Sequence, residues 1–590
     1  MKMYKKVLSV ILAGAMSMSM LMSVAASESE TEAATEAATE AATEATTEAA
    51  TEASSDAETE AATEAATEAA EGETEAAASA VTTDNTVAIA ATNTDGVSPD
   101  NDLVIAIEGN VSSLDPDNIP DTNAISATRG MYEMLVAFDE NQQIVGQLAK
   151  DWEISDDSLT YTFHLNEGIK FHDGTDFNAQ AVVDNYNRVM DVENNLRTRR
   201  SFVTTVDDEE VLRVASVEAT DDYTVVFTLN EAYSTFINKL TQFCIISPAA
   251  LEEWGNDIMY HPCGTGPFKF GEWVEGDHVT MVKNEEYWGE VPSVDSVTIR
   301  EVPEAGSRTA MLQTGEADFV YPAPSDQLAT MESAGDIDVH AVTSNIMRYV
   351  TLNTNVEALS DVRVRQAMNY AIDKEAYCQV MYQGYGTPAT SVAPASILYY
   401  EEQTPYDYDL EKAKSLMEEA GYADGFDLTL WGDNSTQEIK GMTFIQQQLA
   451  QININVEVLP MDPASVQDQI YVPLEDAQVQ MWYVNWSASD FSMDGSLRSL
   501  LYSTMAPPVS ANTVYYNNAE FDQLLDDGLH TGDPDELAEI YGQAQEIAWN
   551  DAVWLFLGND QLLYATKSYL SGVTVAPDGC INFSNAVLAQ

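Results

Sequence analysis

Residues 409–459, DLEKAKSLMEEAGYADGFDLTLWGDNSTQEIKGMTFIQQQLAQININVEVL, carry two helix–strand units in succession. Asp409 stands where a helix N-cap is wanted, and Ala413, Leu416, Met417 and Ala420 recur on one helical face. Gly421 suits the left-handed residue that ends such a helix. Residues 427–431 then read as a strand, Ile439, Met442, Ile445 and Leu449 line a second helix, and a strand over 454–459 follows. Strand–helix–strand order repeated in this way predicts an α/β fold.

The same pattern extends outward. Residues 102–107 read as a buried strand, and Leu159, Tyr161, Phe163 and Leu165 alternate with Thr160, Thr162 and His164, as a half-buried strand requires. A turn over Asn166–Lys170 leads to His172-Asp173-Gly174, which reads as a hairpin turn rather than a metal site. Further strands are expected at 224–229, 278–283 and 296–302, and a helix over Ser307–Thr314 stops at Gly315. Near the end, Leu537, Ile540, Tyr541, Ala544, Ile547 and Ala548 line a long helix ahead of a strand over Val553–Leu557.

The N-terminus speaks to compartment. Lys2, Lys5 and Lys6 precede an uncharged run from Val7 to Ala26 that closes on Val24-Ala25-Ala26, so residues 1–26 read as a signal peptide cut near Ala26, or as an uncleaved signal anchor. No cysteine precedes Cys244, so a lipobox is absent from this leader. Residues 27–99 open with a Thr-Glu-Ala-Ala repeat. Its glutamates return every fourth residue, where they repel on one helix face, and it has nothing apolar to bury. It reads as a disordered acidic spacer holding a domain off a membrane or through a wall, or as a solubilising tail.

The tract 27–80 holds 16 of the 97 acids and the leader 3 of the 25 Lys and Arg, which leaves 81 acids against 22 bases over residues 81–590, a formal charge of −59. That field repels nucleic acid and anionic lipid, and fits solubility outside a cell. About 510 residues of ordinary apolar content normally divide into two or three domains. Cys244 and Cys263 are near enough in sequence to pair, but four cysteines allow three connectivities and free buried thiols fit equally well.

Catalytic chemistry is not visible. The six histidines (His164, His172, His261, His278, His340, His530) show no pair at zinc-helix spacing. Gly264-Thr265-Gly266-Pro267-Phe268 lacks the Lys and Ser/Thr of a phosphate loop, no Gly-x-Ser-x-Gly elbow occurs, and no acidic stretch matches a calcium loop. Neither a cofactor nor a catalytic residue is expected. Aromatic residues are the positive sign. Trp431 and Trp486 each close a predicted strand, and the carboxyl edge of an open α/β sheet is where ligands bind.

Several ordered segments carry a resemblance: Tyr132-Glu133-x-Leu135-Val136, Leu148-Ala149-x-x-Trp152, Tyr161-x-Phe163-x-Leu165-x-x-Gly168-x-x-Phe171-His172-Asp173-Gly174, Gly264-Thr265-Gly266-Pro267-Phe268, Val362-Arg363-x-Arg365-Gln366-Ala367 and Lys414-x-Leu416-x-x-Glu419-Ala420-Gly421-Tyr422. From about residue 100 onward the chain resembles the peptide- and nickel-type solute-binding proteins (family 5) of ATP-driven importers. Three segments, Ala310–Ala317, Gly384–Thr390 and Gln446–Ile452, resemble the glutathione-binding branch of that family, as does the run Asn512-Thr513-x-Tyr515-Tyr516-x-Asn518.

The resemblance implies a bilobed periplasmic-binding-protein fold (class II, with an extra inserted subdomain). One lobe would be 100–127, 243–345 and 552–590, the inserted subdomain 128–242, and the other lobe 346–551, joined by a hinge of two chain crossings. It implies a monomeric receptor, not an enzyme, that passes glutathione or an oligopeptide to the transmembrane subunits of an ABC permease. A nickel or metal-chelate receptor and a surface-displayed sensor without transport remain the alternatives.

Dipeptide and oligopeptide members place an amine-binding aspartate three residues after the tryptophan, where this chain has Ser489, with Asp490 next and Asp494 beyond. A hydroxyl cannot neutralise an ammonium. The arginine that dipeptide members carry after the strand ending at Trp431 is absent from Gly432–Glu438. For glutathione the resemblance implies Arg129, Arg348 and Lys440 for carboxylates, Asp490 or Asp494 for the ammonium, and Trp431, Trp486 and Tyr515 as walls. Asn434, Gln437, Ser489 and Asn512 complete the candidate set.

Overall fold

A computed structural model describes residues 100–119, 121–139, 142–206, 209–488 and 490–589; the leader, the repeat tract and Ser489 lie outside the described residues. Alternating apolar runs become strands in both halves. In chain order these are β1 (Asp102–Ile107), β2 (Ala149–Ile154), β3 (Thr160–Leu165), β4 (Val214–Asp221), β5 (Thr224–Leu229), β6 (Phe268–Val274), β7 (His278–Lys283) and β8 (Ser296–Glu301). Then follow β9 (Phe319–Tyr321), β10 (Ile337–Leu352), β11 (Gly386–Pro388), β12 (Phe426–Asp433), β13 (Ile454–Met461), β14 (Met481–Ser487) and β15 (Trp554–Lys567).

One hydrogen-bonded path runs β6-β7-β8-β1-β9-β15-β10-β14-β12-β13, with β11 added to β15. Around β1 the pairing is parallel with β8 and β9, and at the other end β12 is parallel with β13 and β14. A separate antiparallel sheet, β2-β3-β5-β4, holds the inserted segment. Its inward residues Tyr161, Phe163 and Phe227 share one apolar cluster with Leu103, Ile105, Val279 and Ile299 of the main sheet. The opposite half has its own clusters: Val350, Leu430, Val456, Met481 and Leu555 on one face, and Met347, Tyr349, Trp549, Trp554 and Phe556 on the other.

β10 and β15, of 16 and 14 residues, belong to both halves. The other thirteen strands named above stop within eight residues, because one core asks for no more. These two are long because each leaves one core and enters a second. The division is visible within β15, where Leu555 and Phe556 lie in the second half's clusters while Tyr564 packs with the first.

Helix punctuation follows the residues. The side chain of Asp409 accepts from Lys412 N (2.9 Å) at the start of the helix Leu410–Glu419, and Gly421 adopts φ +86° beyond its end. Gly315 ends Ala305–Thr314 at φ +77°. Met442, Ile445 and Leu449 are fully buried beneath Thr436–Leu449, but Ile439 is 36% exposed. It sits in the helix's first turn, just past the end of β12, where no sheet is left to cover it.

The glycine-rich loop is a packing device. A Cβ on Gly264 would fall 2.2 Å from the Met131 carbonyl oxygen. Thr265 Oγ1, Tyr287 Oη and Trp288 Nε1 all donate to the buried Glu133 carboxyl, at 2.7, 2.8 and 2.9 Å. Burial nevertheless pushes that carboxyl above its usual range. His172 Nε2 lies 2.9 Å from the Gly266 carbonyl oxygen, and the turn around Gly174 closes with a Lys170–Asp176 bridge. Cys244, Cys263, Cys378 and Cys580 are all free thiols. Among the described residues, no helix is long and apolar enough to cross a membrane.

Candidate functional site

Where β10 and β15 pass between the halves, their ladder breaks. Pairing is regular up to Thr343–Gln561, slips across Ser344-Asn345-Ile346, and resumes at Met347–Asn559. The slipped backbone is answered by side chains and loops. Ile346 N donates to Ser344 Oγ (3.1 Å), Asn345 N to the Pro577 carbonyl (2.9 Å), and Asn345 Nδ2 to the Ala488 carbonyl (3.3 Å). Ser344 Oγ also donates to the Asp560 carboxylate. Burial pushes the Asp560 carboxyl up, against the Ser344 hydrogen bond and the nearby Arg348 charge.

Strand alternation sends neighbours to opposite faces of this crossing. On one face Arg348 pairs with Glu438 at 2.8 Å, through Nη1 alone, and lies 4.8 Å from the centroid of Tyr483. Glu438 is delivered by the helix Thr436–Leu449, whose N-cap Ser435 accepts from Glu438 N (3.2 Å). Burial raises the Glu438 carboxyl even though the guanidinium lowers it. Tyr377 and Tyr483 share a hydroxyl contact of 2.5 Å beside the pair. A guanidinium has five donors, so an ion pair through one nitrogen leaves an open edge for a second carboxylate.

On the other face, register places Trp486 beside Met347, Met347 beside Asn559, and Asn559 beside Thr387 of β11. Trp486 Nε1 and Asn559 Oδ1 are both buried without a hydrogen-bond partner. A cavity of about 10 Å³ beside Met347 and Trp486 has room for about one water as it stands. Unanswered polar atoms at such a place cost free energy until something binds them.

The other expected residues are placed as follows. Trp431 is 7% exposed in an apolar cluster with Val466, Ile470, Val479 and Trp482, so its indole faces that core. Asn434 is exposed on the loop after β12; Gln437 Nε2 and Lys440 Nζ donate to the Met381 and Val380 carbonyls, at 2.9 and 2.6 Å. Asp490 is buried against Lys239, and Asp494 against Arg498 at 2.9 Å, with burial raising the Asp494 carboxyl. Asn512 donates to three carbonyls and accepts from Tyr516 N, while Tyr515 Oη donates to the Val472 carbonyl (2.9 Å). Arg129 ends the helix Thr122–Arg129 and pairs with Asp578 at 3.0 Å.

Arg348 and Trp486 thus meet at the crossing, on opposite faces. Asp490, Asp494, Asn512 and Arg129 are held by partners inside the chain. Glu438, Tyr483, Ser344, Asn559 and Asp560 are the crossing residues that sequence reasoning missed. Gly558-Asn559-Asp560, which interrupts an otherwise apolar strand, was the available signal.

Two apolar cores, a shared pair of strands and a polar break between them define a bilobed α/β binding protein. The family described as bacterial extracellular solute-binding proteins, family 5 (middle), matches residues 143–507. The glutathione-binding protein GsiB of Escherichia coli strain K12 is 38% identical over 492 residues, 82% of this chain and 94% of that protein. HbpA2 from Haemophilus parasuis superposes with TM-score 0.75 at 26% identity, covering 83% of this chain and 100% of that one. A dipeptide-binding protein from Pseudoalteromonas sp. SM9913, in complex with Met-Leu, gives TM-score 0.63 at 27% identity over 82% of this chain and 100% of that one. The chain belongs to the family 5 extracellular solute-binding proteins.

Proposed function

We propose that this receptor captures glutathione or a short peptide between its two lobes and delivers it, as a monomer, to the transmembrane subunits of an ABC permease. The observation that carries the reading is the crossing itself: two long strands shared by both cores, broken at Ser344–Ile346 and lined by Arg348, Asp560, Trp486 and Asn559. The name of the relative GsiB supports the ligand class. Lobe boundaries near 345 and 552, with 128–242 inserted in the first lobe, fit the slip in β10, although the apolar clusters keep Val553–Leu557 with the second lobe.

Glutathione carries two carboxylates and one ammonium. In this reading the open edge of Arg348 takes a carboxylate, while Glu438 or Asp560 meets the ammonium, because Asp490 and Asp494 are already paired. Ligand binding stabilises the closed arrangement by its differential affinity for it. The receptor acts by binding and leaves its ligand chemically intact. The leader and spacer would keep it outside the membrane, whether the leader is cut or serves as an anchor.

The test is calorimetric titration of the protein with glutathione and with a dipeptide mixture, paired with small-angle scattering. Saturable heat accompanied by a smaller radius of gyration is expected. Superimposable scattering curves and no heat from either class would sink the reading, and chromatography of recovered glutathione would expose any turnover.

A further inference from the structure

Away from the crossing, the described residues line an open pocket of about 470 Å³ that includes Ser113, Asn118, Asn195, Arg197, Arg200 and Met259. Over residues 81–590, 81 acids stand against 22 bases, and several guanidinium groups hold a carboxylate. Arg129, Arg188, Arg199, Arg348, Arg363 and Arg498 all have one. Arg197 and Arg200 make no ion pair among the described residues, and both are exposed.

Local structure explains why both face one way. Arg197–Ser201 is a 3-10 helix, in which residues three apart eclipse one another about 6 Å apart along the axis. Arg199, off that edge, is held by Glu210 and the Met190 carbonyl, and Leu196 and Ser201 are buried. The turn is therefore anchored while two cations project from one edge.

The facing wall belongs to the segment that leaves the carboxyl end of β1, the edge on which open α/β sheets bind ligands. Val111 N is fixed there by Glu301 Oε1 (2.9 Å). Ser113 Oγ accepts from Asp115 N (3.1 Å), which leaves its own O–H free to donate. Three carboxylates of this segment, Asp115, Asp117 and Asp121, already have partners. Arg188 binds Asp115 at 2.6 Å and Asp117 at 2.5 Å, and Asp121 takes Ser112 Oγ and caps the helix after it.

We propose that Arg197 and Arg200 form a two-guanidinium clamp for a carboxylate of the captured solute, with Ser113 donating a third hydrogen bond. The planar fork of each side chain matches a carboxylate, and two forks side by side select a dianionic or terminal-carboxylate ligand over a neutral one. The assignment of the carboxylate to a transported solute rests on the receptor reading above; the clamp itself does not.

The experiment follows the arginine Nε–Hε signals of the full chain by NMR, assigned with R197K and R200K, during titration with glutathione, its diethyl ester and plain glutarate. Both signals should move with glutathione and with glutarate and stay still with the diester. R197Q/R200Q should weaken glutathione binding by about 10- to 100-fold in calorimetry while leaving the melting curve in place. Movement with glutarate, together with no glutathione binding at all, would keep the clamp and remove glutathione as its source. Wild-type glutathione affinity in R197Q/R200Q, or signals that respond to neither anion, would overturn the clamp.

Discussion

The segment Trp486–Tyr515 and the turn Arg197–Arg200 treat charge in opposite ways. In the first, Asp490 is answered by Lys239, Asp494 by Arg498, Asn512 by four backbone groups and Tyr515 by a carbonyl. In the second, Arg197 and Arg200 make no ion pair among the described residues and stand exposed beside a cavity. The contrast follows from burial. A carboxylate 2% exposed must be paired during folding, because desolvation without a partner costs several kcal/mol. An exposed cation costs the fold little when left open, and so remains free for a ligand. Residue type therefore does not mark a binding site in this chain. Whether the group is already satisfied does.

The comparison breaks first at Asp490. Asp490→Ala leaves Lys239 in a largely buried setting with no counter-charge, and should lower stability by about 3–5 kcal/mol in urea unfolding. An unchanged urea midpoint would mean the Lys239–Asp490 pair adds nothing to the fold. Trp431→Ala, which empties an apolar cluster, should cost about 3–5 kcal/mol and leave ligand affinity untouched. Trp486→Ala should do the reverse, with a smaller loss of stability and a clear loss of affinity, since Trp486 lines the cavity beside Met347 at the crossing. Equal effects of the two tryptophans on affinity would show that Trp431 also reaches the ligand.

A pH experiment sharpens the same point. Burial raises the Asp117 carboxyl to about 7, with Arg188 opposing the rise. The folded state then holds this proton more tightly than the unfolded chain, whose carboxyl titrates near 4. Asp117 therefore contributes stability below about pH 4 that is lost as pH rises through about 7. His172 and His340, both lowered by burial to about 4, act in the opposite sense: their contribution is present above about 6.5 and is lost as pH falls toward 4. The informative quantity is the difference between wild type and Asp117→Asn, which should shrink steadily from pH 4 to pH 8. A flat difference across that window would show that Asp117 keeps its charge. The smallest effect belongs to R197Q/R200Q, whose stability should stay within about 0.5 kcal/mol of wild type. A larger loss would mean that these arginines have structural partners after all.

Much of the molecule was legible along the chain. The strands at 102–107, 224–229 and 278–283 lie where alternation placed them, and Asp409, Gly315 and Gly421 punctuate their helices as expected. These features depend on neighbours within a few residues, where periodicity and backbone sterics act directly. The ordered segments around Glu133, His172 and Gly264 also marked the family, and the structure joins them by hydrogen bonds linking Glu133 and His172 to the loop 264–266. The candidate site was legible only in part. Arg348 and Trp486 reached the crossing, yet Trp431 turned inward, and the apparent ammonium partners Asp490 and Asp494 were taken up by Lys239 and Arg498. Nothing in local sequence distinguishes a paired aspartate from a free one.

Sequence alone determined an acidic α/β chain with an export-like leader, the order of its elements and the family to which it belongs, because composition and short-range period are properties of the chain itself. Tertiary structure decided that β15 would run well past Leu557 into the first lobe, that Asn559 and Asp560 would meet Ser344 and Met347, and that Arg197 and Arg200 would make no ion pair among the described residues. Those outcomes depend on which residues, hundreds of positions apart, come within hydrogen-bonding distance. Only the packing of two cores around a shared pair of strands sets that distance.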